Sequence, residues 1–373
     1  MRIKTGEKMS DLFVHQAAKK FASWAAAEGF FDGYGHANIE DGGSIDQISD
    51  DGRRILRQRQ VTQVGFDPTE GKVFVYLRRA APGKKLLEKL PGSVDGFALE
   101  YIQGVEQPVG SNHTQPMGCP AWRLRQSAGL KRYTCGSSIS VGNFMDAGTL
   151  GALVRDQSGK LYGLSNNHVC GSCNHADVGL PILAPGVFDV VAGGLDPFTI
   201  GYHAATLQMT PGSVTIVNPS GNHDAAIFRI RDEAQLTSFQ GDAYDTPNAI
   251  VPLVAGMKVE KVGRTTGGTT GVVQCQIAGP VPIVYAAPNY GFNGKVFYDP
   301  AFYICGDTDV FSDNGDSGSL VVTTLPDGTR AAVGLVVGGA ISGTAPGGKI
   351  SIALPIVPVL TRLNLTLVSG HNI

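Results

Sequence analysis

Charge is scarce in this sequence. Only 17% of the 373 residues are Asp, Glu, Lys or Arg, and 30 cations against 32 anions leave a net charge of −2. That balance gives no electrostatic footprint for nucleic acid and disfavours a long charged helix or coiled coil. Six cysteines, at 119, 135, 170, 173, 275 and 305, are too few for a disulfide framework. They read as thiols of a reducing compartment, most of them buried. Long apolar runs are missing as well. The longest, residues 331–341, is too short and too glycine-rich to span a bilayer. No apolar stretch follows Arg2, Lys4 and Lys8 as it would in a secretory leader. A soluble, cytoplasmic protein that uses no membrane is therefore expected.

Turn formers, by contrast, are plentiful. The chain has 50 glycines and 21 prolines, scattered with no fixed repeat, and 42% hydrophobic residues. A disordered chain is excluded, and many short strands joined by turns are expected. Near the start, Ser10 is a candidate cap for a helix running to Glu28 and stopped by Gly29. Phe13, Ala17, Phe21 and Trp24 fall on one face of that helix, which either packs on the rest of the chain or docks a partner. Residues 32–60 are polar and end in an Arg-rich run that reads as a solvated helix face. From Val61 the pattern alternates. Val64 and Phe66, the turn Asp67-Pro68-Thr69-Glu70-Gly71, then Val73, Val75 and Leu77 predict a hairpin, with more strand around 97–105. Residues 1–60 are thus a helix and a polar segment, and 61–120 a small α+β unit ending in a Pro/Gly connection open to cleavage. Beyond Tyr133, strands are predicted at 150–154, 161–165, 225–230, 258–262, 271–277, 319–323 and 331–337, and a closing helix at 355–363.

Three motifs carry chemistry. Leu164-Ser165-Asn166-Asn167-His168-Val169 ends a predicted strand. His223-Asp224-Ala225 puts an acid directly before another, and Asp313-Asn314-Gly315-Asp316-Ser317-Gly318-Ser319 puts a glycine-flanked serine before a third. A serine hydroxyl is a weak nucleophile at neutral pH and needs an imidazole to take its proton; the imidazole needs a carboxylate to fix its tautomer. Backbone N–H groups must then meet the oxyanion, and Gly315 and Ser317 are the evident donors. A lone His, or an Asp before a strand, is usually structural. The Gly-Asp-Ser-Gly-Ser string is far rarer, and all three in this order are strong evidence. Cys170, Cys173 and His175 have half of a zinc spacing, but a matching second pair is absent, so no metal and no cofactor are expected.

These motifs resemble the trypsin/chymotrypsin-like serine peptidases, whose chain order is also His, Asp, Ser. The resemblance runs from about Gly136 to the C-terminus. It implies a mainly β, two-barrel chymotrypsin-like fold over 121–373 with a small N-terminal α+β extension. His168 is then the general base, Asp224 the orienting acid and Ser317 the nucleophile. The segment Val262-Gly263-Arg264-Thr265-Thr266-Gly267-Gly268-Thr269-Thr270-Gly271 is similar to one in a bacterial branch related to the plant narrow-leaf peptidases, as are Thr149-Leu150-Gly151 and residues 164–169. By the same resemblance, Phe311 forms the base of the primary specificity pocket, a single loop shift putting Asp309 or Asp313 there instead, and the strand at Val336, Val337, Gly338 and Gly339 forms its wall. With no carboxylate at the base, cleavage after a small or apolar residue is expected rather than after a basic one.

The departures from that pattern also matter. Val169 replaces the cysteine that usually follows the histidine, Ser319 stands where glycine is more frequent, and no Ile-Val-Gly-Gly activation terminus precedes the barrels. Asp316 therefore lacks the freed amine it would pair with in a secreted zymogen. The expectation is a serine endopeptidase acting on protein or peptide substrates and folded competent, or else switched by a partner or by its own N-terminal unit. A silent peptidase-fold module that binds a protein partner is the alternative. An esterase is disfavoured, because Ser319 breaks the Gly-x-Ser-x-Gly elbow and the triad order is wrong for that fold.

Overall fold

The computed structural model describes residues 7–31, 45, 48–109 and 114–373, with side chains from Phe13 onward. Six strands close a barrel. Lys258–Gly263, Leu320–Thr324, Arg330–Ile341, Lys349–Pro355, Phe302–Gly306 and Gly267–Ile277 are hydrogen-bonded in that order, and the last pairs back with the first. Ahead of it in the chain, Ser138–Val141, Pro181–Ala184, Phe198–Thr206, Ala226–Ile230, Leu161–Ser165 and Ala152–Arg155 form a second, curled antiparallel sheet. Each encloses its own apolar core, built around Leu153, Val169 and Phe228 in the curled sheet and Val273, Ile304 and Val321 in the closed barrel. The chain is mainly β with the two-barrel architecture expected of it, and Ile356–Leu363 is the closing helix.

The N-terminal residues are joined to the closed barrel by hydrogen bonds. Strands Val61–Asp67 and Lys72–Leu77 form the hairpin, and the first of them pairs with the barrel strand Gly267–Ile277 through Gly65↔Ile277 and Phe66↔Gln276. Phe97–Gln103 then adds in parallel to Lys72–Leu77, so the barrel sheet extends into the extension. The helix Glu7–Ala27 begins before Ser10, which lies within it rather than capping it. Val14, Ala17, Phe21 and Trp24 are buried against the hairpin, whereas Phe13 is 49% exposed, one position off the buried stripe. Gly29, at φ +70°, ends the helix in a conformation glycine adopts freely. Ser49 caps the helix Asp50–Arg59; its arginines face outward while Ile55 and Leu56 are buried.

Candidate active site

Strand register brings the first two motifs together. Leu161–Ser165 and Ala226–Ile230 pair antiparallel with Ser165 opposite Ala226, so the residues just after one strand lie beside those just before the other. There the short helix Asn167–Cys170 carries His168. Its Nδ1 lies 2.5 Å from Oδ2 of Asp224, and its backbone N–H donates to Oδ1 at 3.0 Å. The Asn166 amide donates to the Asp224 carbonyl at 2.7 Å. The Asp224 side chain is wholly buried and that of His168 is 7% exposed. Beside an ionised carboxylate, Nδ1 holds the proton and Nε2 is left as the basic nitrogen.

The serine loop comes from the other barrel. Gly315 and Gly318 have φ of +100° and +93°, and the Ser317 carbonyl accepts from the Thr149 N–H at 2.8 Å. A Cβ on Gly318 would sit 2.3 Å from Ser165 Oγ and 2.4 Å from the Thr149 carbonyl, so only glycine fits this seam. The Asp316 N–H turns back to Asp313 and the Gly318 N–H bonds Val336, while among the described residues the N–H groups of Gly315 and Ser317 have no protein acceptor. His168, Gly315 and Ser317 all line one open cleft, with Asp224 directly behind His168.

The specificity residues need correction. Phe311 is 1% exposed and packs in the closed-barrel core beside Gly271, because its ring fills the space that glycine leaves. Phe311 does not line the cleft; Ser312, Asp313, Lys349 and Ile350 do. Lys349 Nζ pairs with Asp313, and Ser312 and Ser351 share a 2.6 Å hydrogen bond. Val336, Gly338 and Gly339 line the wall, but Val337 does not. Side chains alternate along a strand, and Val337 is buried in the core that also holds Tyr285 and Tyr298.

Several contributors gave no signal, or an unread one, in the sequence. Lys261 pairs with Asp316 at 3.1 Å, both side chains being fully buried. Asp316 also accepts from the Asp313, Thr265 and Thr266 N–H groups and the Thr266 hydroxyl. Burial pushes its pKa up, but the Lys261 charge and these donors outweigh it and hold the carboxyl below the ordinary range. Arg264, equally buried, donates through Nε to Asp189 at 2.8 Å and through Nη1 to the Thr114 carbonyl, tying together both barrels and the connection. Gln107, Pro108 and Val109 of the extension supply part of the cleft wall. Cys170 and Cys173 are buried free thiols, and His175 stacks on Tyr290; among the described residues no His/Cys/Asp/Glu group is arranged to hold a metal.

No family model matches the sequence. It is 28% identical over 334 residues to Protein NARROW LEAF 1 of Oryza sativa subsp. japonica, a match that takes in 80% of this chain and 54% of that protein. The chain thus spans about half the length of that relative. Among solved structures, Thermobifida fusca Protease A is 20% identical and aligns over 64% of this chain and 98% of its own, with a TM-score of 0.40. Cellulomonas bogoriensis chymotrypsin is 18% identical over 64% and 98%, with a TM-score of 0.39.

Proposed function

We propose that the protein is an intracellular serine endopeptidase that cleaves peptide bonds through an acyl-enzyme. One observation carries this reading: an imidazole bonded through Nδ1 to a buried carboxylate opens onto the cleft that Ser317 also lines. Ser317 Oγ attacks the scissile carbonyl as His168 Nε2 takes its proton, and Asp224 stabilises the imidazolium. The oxyanion accepts from the N–H groups of Gly315 and Ser317. His168 returns the proton to the leaving amine, and water, deprotonated by the same nitrogen, releases the acyl group.

Among the cleft residues Asp313 and Lys349 satisfy each other, leaving neither a basic nor an acidic side chain a free partner. A small uncharged residue before the scissile bond fits best, and a peptide library cut mainly after Arg would refute that preference. Six unpaired cysteines are in keeping with a reducing compartment. Self-processing in the 106–120 connection and control through the N-terminal residues, by themselves or with a protein partner, belong to the same proposal.

The test is Ser317→Ala against casein and peptides. Turnover should fall by on the order of 10⁴ with the fold retained. A fluorophosphonate should label Ser317 in the wild type. Undiminished turnover in Ser317→Ala ends the reading, whereas a folded protein that neither turns over nor labels favours the silent binding module.

A further inference from the structure

We infer that the Tyr285 phenol is a positioning residue for the proposed His168–Asp224 pair, holding the same carboxylate oxygen that meets the histidine. The inference rests on the peptidase reading and goes beyond the three motif residues. Tyr285 lies on the hairpin Val281–Ala287/Phe292–Tyr298, a two-stranded sheet separate from both barrel sheets. Its side chain is fully buried, and its hydroxyl donates to Oδ2 of Asp224 at 3.0 Å. Oδ2 is the oxygen that meets His168 Nδ1, while Oδ1 takes the His168 backbone N–H. Three donors on two oxygens leave the carboxylate little freedom to turn. The phenol ring also packs 5.4 Å from the imidazole, centroid to centroid.

Both sides of the hairpin are fixed. Val284 beside Tyr285 accepts the Val109 N–H at 2.8 Å, and the Asn222 amide donates to the Phe297 carbonyl at 2.9 Å. Position 285 is therefore coupled to the extension as well as to the segment that carries Asp224. Burial, then the Asp224 charge, keeps the phenol neutral and donating. Among the described residues, Asp224 also acts on Cys170, Cys173 and Tyr298, each pushed up by burial and neutral at working pH.

Tyr285→Phe keeps the ring and removes the donor. An Oδ2 freed of the phenol is a better acceptor for Nδ1–H, which favours the protonated imidazole. The acid limb of the kcat/KM profile should move up by about half a pH unit. kcat should fall about tenfold, with KM changed by less than about twofold. Installing 3-fluorotyrosine at 285, a more acidic phenol of nearly the same shape, should move the limb down, and it keeps the test alive if Tyr285→Phe folds poorly. Titration of the His168 imidazole by NMR in a Ser317→Ala background should show the same shifts without any turnover. An acid limb and an imidazole titration that stay put in the folded variants would overturn the inference, even if kcat drops. Persistent turnover in Ser317→Ala would sink the peptidase reading instead, leaving the titration to judge Tyr285 alone.

Discussion

Asp316 stands one position before the serine, and its buried ion pair holds the loop that carries Gly315 and Ser317. Removing one member of such a pair leaves the other charge uncompensated in the interior, which typically costs about 3–5 kcal/mol. Lys261→Met should destabilise the protein by that order in urea unfolding and reduce turnover more than KM changes. The folded pKa of Asp316 lies below its ordinary value near 3.8. Its contribution is thus fully present above that value and is lost as pH falls through the lower folded one. Asp316→Asn should flatten this acid limb of the stability curve, and a limb as steep as the wild type's would contradict the assignment. At the seam, Gly318→Ala puts a methyl against Ser165 and Thr149 in a left-handed backbone, and activity should be lost with little change in secondary structure by circular dichroism.

Among the elements, the hairpin Val61–Asp67/Lys72–Leu77 decides what the extension is to the barrel. It covers one edge of Gly267–Ile277, and Phe74, Tyr76, Ile102 and Val109 share a core with Tyr303, Val337 and Ile352. Deleting residues 1–109 would uncover that edge and that core and remove part of the cleft wall. The truncated chain should be poorly soluble and inactive; a soluble, more active product would instead mark the extension as a removable inhibitor. A milder probe is Gly65→Leu, whose Cβ would start 2.4 Å from Cys275 Sγ. Overpacking of this kind costs about 1–3 kcal/mol, readable as a lowered melting temperature.

For the whole molecule, the cleft exists only while two barrels and the extension meet. Thr149 of the curled sheet bonds the Ser317 and Gly315 carbonyls, and Arg264 of the closed barrel reaches Asp189 and Thr114. Self-cleavage in the connection should therefore leave the halves associated through the shared sheet and core. Incubated wild type, but not Ser317→Ala, should show two fragments by mass spectrometry that co-elute in size-exclusion chromatography. Fragments that separate without denaturant would show the shared sheet to be too weak to hold them.

Much of the fold was legible because strands, turns and glycines act locally. Alternation announced the 61–77 hairpin, and turn residues bounded 161–165 and 226–230 to within a residue. The Gly-Asp-Ser-Gly-Ser string marked a strained, glycine-hinged loop, since positive φ at 315 and 318 leaves little choice of residue. Side chains that act across the fold left no local trace. Lys261 and Tyr285 occupy ordinary strand positions, and their partners, Asp316 and Asp224, are 55 and 61 residues away. Phe311 reads like any pocket residue until the space beside Gly271 takes it into the core. Sequence by itself determined which residues carry chemistry and where the chain turns. Only the tertiary structure decided which charges neutralise each other and which wall each cleft residue forms, because burial and distance arise when separate strands close on one another.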